Sequence, residues 1–280
     1  MPIACVDGRD LHYETRGSGD PLLLIQGLSG THLSWGELFL GELERDFQLI
    51  AYDHRGIGFS AGDGGPFSIA DLAADAVGLL DKLGIERAHV MGVSMGGMVA
   101  QELALGHSGR VLSLTLGCTY AGGEGSRLTD QAVIQRLMTA SLSGDRELAL
   151  RTGWEVNTSA AFAAEPANYQ AFREMASQLP APIPVLLQQM QATLVHDTSA
   201  RLPSLDVPTL VVHGDEDQML DLSNGRHIAG LIPGARVRIL ERTGHLFWWE
   251  RPHDSAELAR DHVARLTSPA SRKPTLEPAA

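Results

Sequence analysis

The sequence predicts an α/β protein, a mostly parallel sheet that carries a helical insertion, and three observations carry that reading. Short apolar runs of strand length alternate with longer segments of helical period, the pattern of successive βαβ units. Asp7-Gly8 separates two β-prone runs near the amino terminus, a hairpin signal that opens the chain with antiparallel strands. Between a strand ending near Cys118 and one starting near Thr209 lie about ninety residues, far more than the ~10 to 12 that a crossover needs.

In order along the chain, Ile3 to Val6 and Leu11 to Thr15 form the hairpin. Leu22 to Ile25, Leu49 to Tyr52, Ala88 to Val93, Val111 to Leu116 and Thr209 to Val212 read as buried strands, and Val237 to Leu240 as a further strand-like run. The clearest helix spans 68 to 83, with Ile69, Leu72, Ala73, Ala76, Leu80 and Leu83 on one face. Ser68 followed by Asp71 resembles a capping box with Asp in the Glu position, and Gly84 follows as a C-terminal stop. The inserted segment is rich in Ala, Leu, Gln and Met. Pro180, Pro182 and Pro184 break it once, so a small helical cap is expected there. The expected division is an α/β core at 1–120 and 204–267, a cap at 121–203, and a frayed tail at 268–280 with Pro269, Pro274 and Pro278.

Composition bounds the function. At ~150 residues per domain, 280 residues would suggest two domains, but large α/β folds reach that length as one with insertions. Hydrophobic residues at 44% and charged residues at 20% allow a sizeable core. A net charge of −12 repels phosphate backbones and anionic membrane surfaces, so neither nucleic acid nor membrane is an expected partner. Cys5 and Cys118 are too few for a disulfide scaffold and read as two reduced, buried thiols, which favours the cytoplasm. The amino terminus lacks the basic and apolar regions of an export signal, and no apolar run approaches the ~20 residues of a membrane span.

The chemistry concentrates on Gly92-Val93-Ser94-Met95-Gly96. It follows the strand Ala88 to Val93 and precedes the helical pattern Met98 to Leu105, the strand–turn–helix context of a nucleophile elbow. A serine on so tight a turn takes strained dihedrals, and small residues at 92 and 96 let strand and helix approach. A serine hydroxyl needs a base to remove its proton, and the base needs an acid to fix its tautomer. Among the eleven histidines, His12, His107, His196, His253 and His262 read as surface or strand-rim residues. His245 follows the run Val237 to Leu240 and so emerges at a strand's carboxyl end, where α/β sheets put their ligands. The acid lies between Ser94 and His245 if the chain order is Ser, acid, His. Asp217 fits, just past a buried strand, but chain order leaves Asp215, Glu216 and Asp221 open beside it.

With these motifs in place, the chain from about residue 3 to 266 resembles the α/β-hydrolase superfamily, a doubly wound sheet with an inserted helical cap. The resemblance implies Asp217 as the acid, the second Asp of a Gly-Asp-x-Asp turn, and His245 ahead of Glu250-Arg251-Pro252. Asp53-His54-Arg55-Gly56-Ile57-Gly58-Phe59-Ser60 matches the family's turn after the fourth strand, where pairing of Asp53 with Arg55 within the loop is expected; it lacks the third glycine of a dinucleotide fingerprint, and no cofactor follows from it. An oxyanion requires two preorganised donors, each worth ~2.7 to 4 kcal/mol when removed. One is the N–H of Met95, after the nucleophile; the resemblance places the other at Leu28. Where the family commonly has His-Gly this chain has Gln26-Gly27, so the loop's supporting bonds must differ, with Gln26 either a buried donor and acceptor or a direct substrate contact. Tyr52-Asp53-His54-Arg55, Leu72-Ala73-Ala74-Asp75-Ala76 and Arg87-Ala88-His89-Val90 look similar to capped esterases such as the aclacinomycin methylesterases, and to haloperoxidase-like and enol-lactone hydrolases. Serine at 94 argues against the dehalogenase and epoxide-hydrolase branches, which use an aspartate there.

The expected function is therefore a cofactor-independent serine esterase or lactonase acting on a hydrophobic small molecule. Met138, Trp154, Phe162, Phe172, Met175, Leu187 and Met190 are the apolar cap residues that either pack the cap or touch substrate. Trp248 and Trp249 either seat the final helix or line the floor below the triad. No metal is expected, because His213 and Asp215 have no third ligand at recognisable spacing. The alternatives are perhydrolysis, carbon–carbon bond hydrolysis or cyanohydrin cleavage on the same scaffold, a ligand receptor without turnover, and a cation-dependent enzyme. Apolar cap surface could equally serve dimerisation.

Overall fold

Among the described residues eight strands form one sheet: β1 (Ile3–Val6), β2 (Arg9–Arg16), β3 (Asp20–Ile25), β4 (Phe47–Tyr52), β5 (Ala88–Val93), β6 (Val111–Gly117), β7 (Thr209–Gly214) and β8 (Arg236–Leu240). The computed structural model describes residues 1–62 and 64–267. The tail expected at 268–280 lies outside the described residues. The sheet order is β1-β2-β4-β3-β5-β6-β7-β8. β1 and β2 pair antiparallel across Asp7-Gly8, β2 joins β4 antiparallel, and every pair from β4 to β8 is parallel. Each strand read from the sequence is present.

The helices are α1 (Glu37–Leu43), α2 (Ile69–Lys82), α3 (Met95–Gly106), α4 (Gln131–Leu142), α5 (Arg146–Asn157), α6 (Ala160–Ala163), α7 (Pro166–Gln178), α8 (Ile183–Leu194), α9 (Leu222–Leu231), α10 (Phe247–Glu250) and α11 (Pro252–Thr267). α2 begins as its sequence demands: Ser68 accepts from the Asp71 N–H, and the Asp71 side chain returns a bond to Ser68. Gly84, just past the helix, takes φ +68°, the left-handed stop that glycine adopts without strain. One apolar cluster joins α2, α3 and α9 to one face of the sheet; a second joins α1, α10 and α11 to the other. Helices on both faces explain why the central strands β5 and β7 are buried at every residue.

Chain direction across the sheet reverses beside β3: β4 lies on one side of it and β5 on the other. In an open parallel sheet this leaves a crevice at the carboxyl ends of the strands. The loops after β3 and β5 therefore open into the same crevice, one carrying Gln26-Gly27-Leu28 and the other Ser94. Helices α4 to α8 occupy the long connection between β6 and β7. The proline-bearing break falls between α7 and α8, where Pro182 is the N-cap and Pro184 lies in the first turn, positions at which a missing N–H costs nothing. No helix of the described residues is long and apolar enough to cross a membrane.

Candidate active site

Ser94 joins β5 to α3 with φ 54° and ψ −123°, a backbone that costs a non-glycine residue on the order of 1–3 kcal/mol and persists only where the surroundings impose it. They do so on both sides. The Ser94 N–H donates to the Gly117 carbonyl at 2.9 Å, and the Ser94 carbonyl accepts from the Gly97 N–H at 2.9 Å and from Thr119 Oγ1 at 2.7 Å. The flanking glycines are steric necessities: a Cβ on Gly92 would lie 2.2 Å from the Gly96 carbonyl oxygen, and one on Gly96 would lie 2.1 Å from that of Ile25. The loop after β3 presses equally close, since a Cβ on Gly27 would come within 3.0 Å of Ser94 Cβ. Met95 begins α3, so its N–H has no acceptor within the helix and is available to an anion.

Asp217 and His245 meet. His245 Nδ1 lies 2.7 Å from Asp217 Oδ2, and that carboxylate is wholly buried. Asp217 Oδ1 accepts the N–H groups of Met219 and Leu220 at 2.8 and 2.9 Å, while His213 Nε2 approaches Oδ2 at 3.1 Å. Burial alone would raise the carboxyl pKa, but His245 and His213 outweigh it and hold Asp217 well below the ordinary carboxylate range. Burial disfavours a charged imidazole, yet Asp217 reverses that and raises His245 above its ordinary value. The other three acids stand apart: Asp215 and Glu216 are exposed, and Asp221 caps α9 by accepting from the Ser223 N–H. Four acids within seven residues look equivalent in the sequence because burial, which separates them, is set by the fold.

Cys118 lies beside this pair. Its thiol is fully buried, and its sulfur is within 4.8 Å of a ligand atom of both Asp217 and His245. Burial pushes the thiol pKa up and keeps it neutral, so Asp217 is the group that favours the imidazolium. Cys5, also expected to be buried, is exposed instead, because it faces outward on edge strand β1, whose inward positions are Ala4 and Val6. His12, His196 and His262 are buried rather than at the surface.

The His245 turn is anchored to the insertion by a residue the sequence had placed only within a motif. Glu250 Oε1 accepts the Gly244 N–H at 2.8 Å and the Ser159 N–H at 2.9 Å, and Oε2 accepts from Ser159 Oγ at 2.5 Å. Gly244 has no room for a side chain, since a Cβ there would lie 2.6 Å from the Thr158 carbonyl carbon. Trp248 and Trp249 both donate from Nε1 to the Ser34 carbonyl, at 3.0 and 2.9 Å, and so seat α10 on the loop after β3.

In that loop Gln26 supports its own turn: Oε1 accepts the Gly27 N–H at 3.0 Å, and its carbonyl faces His54 Nε2 at 3.0 Å. Ser29 donates its N–H to Oε1 of Gln189 at 2.8 Å. Leu28, between them, takes part in neither bond. Gln189 is a residue that sequence reading missed. It is fully buried on α8, and its Nε2 has no hydrogen-bond partner among the described residues. Glutamines also stand at 188 and 191 of this helix, and nothing local singles out the one that faces inward.

The cap residues divide. Trp154 is fully buried, with ring centroids 5.4 Å from Phe162 and 5.0 Å from Phe172; Phe172 in turn lies 6.2 Å from Trp249. Met175 Sδ accepts from Ser34 Oγ at 3.8 Å, so α7 also rests on the core. Met138, Leu187 and Met190 do not join them; they are 57%, 58% and 44% exposed. α8 turns Gln189 and Ala192 inward and sets Val185 against Gly56, which leaves Leu187 and Met190 on its outer face. A cavity of about 560 Å³ between α4 and α5, lined in part by Ala140, Leu148 and Thr152, shares no residue with Ser94 or His245. The expected Asp53–Arg55 pair is also absent: Arg55 Nε reaches Asp75 of α2 at 2.6 Å, and Asp53 faces His12 and His32.

A family profile described as the alpha/beta hydrolase fold matches residues 20–252. The chain belongs to the α/β-hydrolase fold family. Among relatives of this family, the Azorhizobium caulinodans protein named "Putative carbamate hydrolase RutD" is 33% identical over 250 residues, 88% of this chain and 92% of that protein. The crystal structure of an enol-lactonase from Burkholderia xenovorans superposes with TM-score 0.81 at 27% identity, covering 94% of this chain and 100% of that one. An esterase from Rhodococcus superposes with TM-score 0.80 at 25% identity, covering 94% and 98%. The relatives thus support a hydrolytic enzyme.

Proposed function

We propose that this hydrolase cleaves a carboxylic ester or lactone of a hydrophobic small molecule through an acyl-enzyme on Ser94. The observation that supports this most is the pair formed by a strained Ser94 elbow and a His245 whose Nδ1 is fixed on buried Asp217. Ser94 Oγ attacks the carbonyl carbon while His245 Nε2 takes its proton. Asp217 keeps the proton of Nδ1 in place and favours the imidazolium that forms. The developing oxyanion lies against the N–H groups of Met95 and Leu28. His245 then gives its proton to the departing oxygen, and water repeats the sequence to release the acid. The cap covers the apolar part of the substrate, with Gln189 beside Leu28 as a polar contact. The free thiols Cys5 and Cys118 fit a reducing, cytoplasmic setting.

A second reading has one observation in its favour: the relative named for carbamate hydrolysis is more similar in sequence than the enol-lactonase. A carbamate carbonyl is open to the same attack. Turnover of matched ester, lactone and carbamate panels by wild-type protein and by Ser94→Ala separates the two. The ester reading requires esters or lactones to lead by kcat/KM and Ser94→Ala to abolish turnover; a carbamate that leads, or a Ser94→Ala protein that turns over normally, overturns it.

A further inference from the structure

Asp53, just past the end of β4, is wholly buried. Its Oδ1 accepts the His32 backbone N–H at 2.7 Å and faces His32 Nδ1 at 2.9 Å; its Oδ2 accepts the Phe59 N–H at 3.0 Å and faces His12 Nδ1 at 3.1 Å. Both oxygens already receive backbone N–H groups and so act as acceptors, which makes the two ring nitrogens donors. Each imidazole therefore carries its proton on Nδ1 and turns Nε2 away from Asp53. His12 Nε2 is buried and has no hydrogen-bond partner among the described residues, and His32 Nε2 lies 3.7 Å from Glu14 Oε1. His12 and Glu14 are two apart on strand β2, so their side chains share a face. His12, Glu14 and His32 can each place a ligand atom within 4.8 Å of the other two.

We propose that His12, Glu14 and His32 bind a divalent transition-metal ion of the zinc class, with Asp53 as the carboxylate that orients both imidazoles. Two neutral imidazoles and one carboxylate form a donor set suited to such ions, and the carboxylate–histidine–metal arrangement both sets the tautomer and raises the basicity of the ligand nitrogen. The protein ligands are three, so water completes the coordination. Glu14, whose side chain is 43% exposed, and Phe59, 41% exposed, form the route from solvent. The ion ties together β2, the end of β4 and the loop that runs from Gln26 through Leu28 to His32. Its effect is to stiffen that loop, and it takes no part in the chemistry at Ser94.

A second cluster able to hold an ion, Cys118, Asp217 and His245, makes the test specific. Tag-free protein stripped with chelator is titrated calorimetrically with Zn²⁺, and the Co²⁺ form is examined by visible absorption. One equivalent is expected, with Glu14→Gln weakening affinity at least about tenfold while Cys118→Ser leaves it unchanged. Zn²⁺ at about a hundredfold excess over Kd should raise Tm by roughly 5–10 °C in wild-type protein and not in Glu14→Gln. Glu14 is partly exposed, so its amide variant retains the fold, and Tm without metal verifies that. Absence of stoichiometric binding, equal affinity in Glu14→Gln, or loss of binding in Cys118→Ser would each overturn the proposal.

Discussion

Two aspartates in this molecule stand in nearly the same surroundings. Asp53 after β4 and Asp217 after β7 are both wholly buried, both accept two backbone N–H groups, and both face two histidines. Burial is outweighed in each case by those donors, and both carboxyls are held below their ordinary pKa. What differs is what the imidazoles face next. Beside His245 lies the Cys118 thiol; beyond His32 lies Glu14. An aspartate–histidine pair is thus not itself a catalytic device. Under the proposed function, the neighbour of the second ring nitrogen decides whether the pair moves a proton or anchors a loop.

The comparison breaks most sharply by substitution on the Asp217 side. Ser94→Ala and His245→Ala should each lower turnover by up to ~10⁶ in steady-state assays, with unfolding midpoints little changed. Asp217→Asn should cost about 10⁴ in kcat, because an amide in that place no longer fixes the Nδ1 proton. Asp53→Asn inverts the pattern: it replaces one of the two buried acceptor oxygens with an amide donor that faces a histidine N–H, and should lower stability by about 3 kcal/mol in denaturant melts, with a smaller loss of kcat. A 10⁴-fold loss of kcat in a stable Asp53→Asn protein would erase the distinction between the two sites.

pH sharpens it further. His245 acts as a base only when neutral, so kcat/KM should rise with pH and level off once His245, whose pKa Asp217 raises, has lost its proton. For stability the sign differs. Both aspartates have lowered folded pKa values, so their contribution is present above the unfolded value of about 3.9 and is lost as pH falls through the folded values. Urea melts from pH 6 down to 2 should show that acid loss, and Asp217→Asn and Asp53→Asn should each flatten part of it. The smallest effect is expected at Glu250→Gln, which weakens the anchor of Gly244 and Ser159; kcat should fall roughly tenfold while KM moves little.

The sequence displayed whatever local physics determines. The strands, the Ser68–Asp71 cap of α2 and the glycine spacing around Ser94 follow from periodicity, capping and steric fit within a few residues. Asp217 was one of four acids, because what singles it out is burial against a histidine 28 positions away. The Asp53 cluster was invisible for the same reason: His12 lies 41 and His32 lies 21 positions from it. The cap deceived in another way. α8 carries apolar residues on both faces, with Ile183 71% and Leu194 66% exposed, so its period did not say which side faces the core. Leu187 and Met190 sit on the outer side, and the polar Gln189 faces in.

The most direct measurement is covalent labelling with a fluorophosphonate, located by mass spectrometry on the intact, folded protein. A single adduct on Ser94, lost in Ser94→Ala and sharply slowed in His245→Ala, is the predicted result. An adduct on Cys118 or on any other residue, or labelling of Ser94 that proceeds at the same rate without His245, would contradict the account.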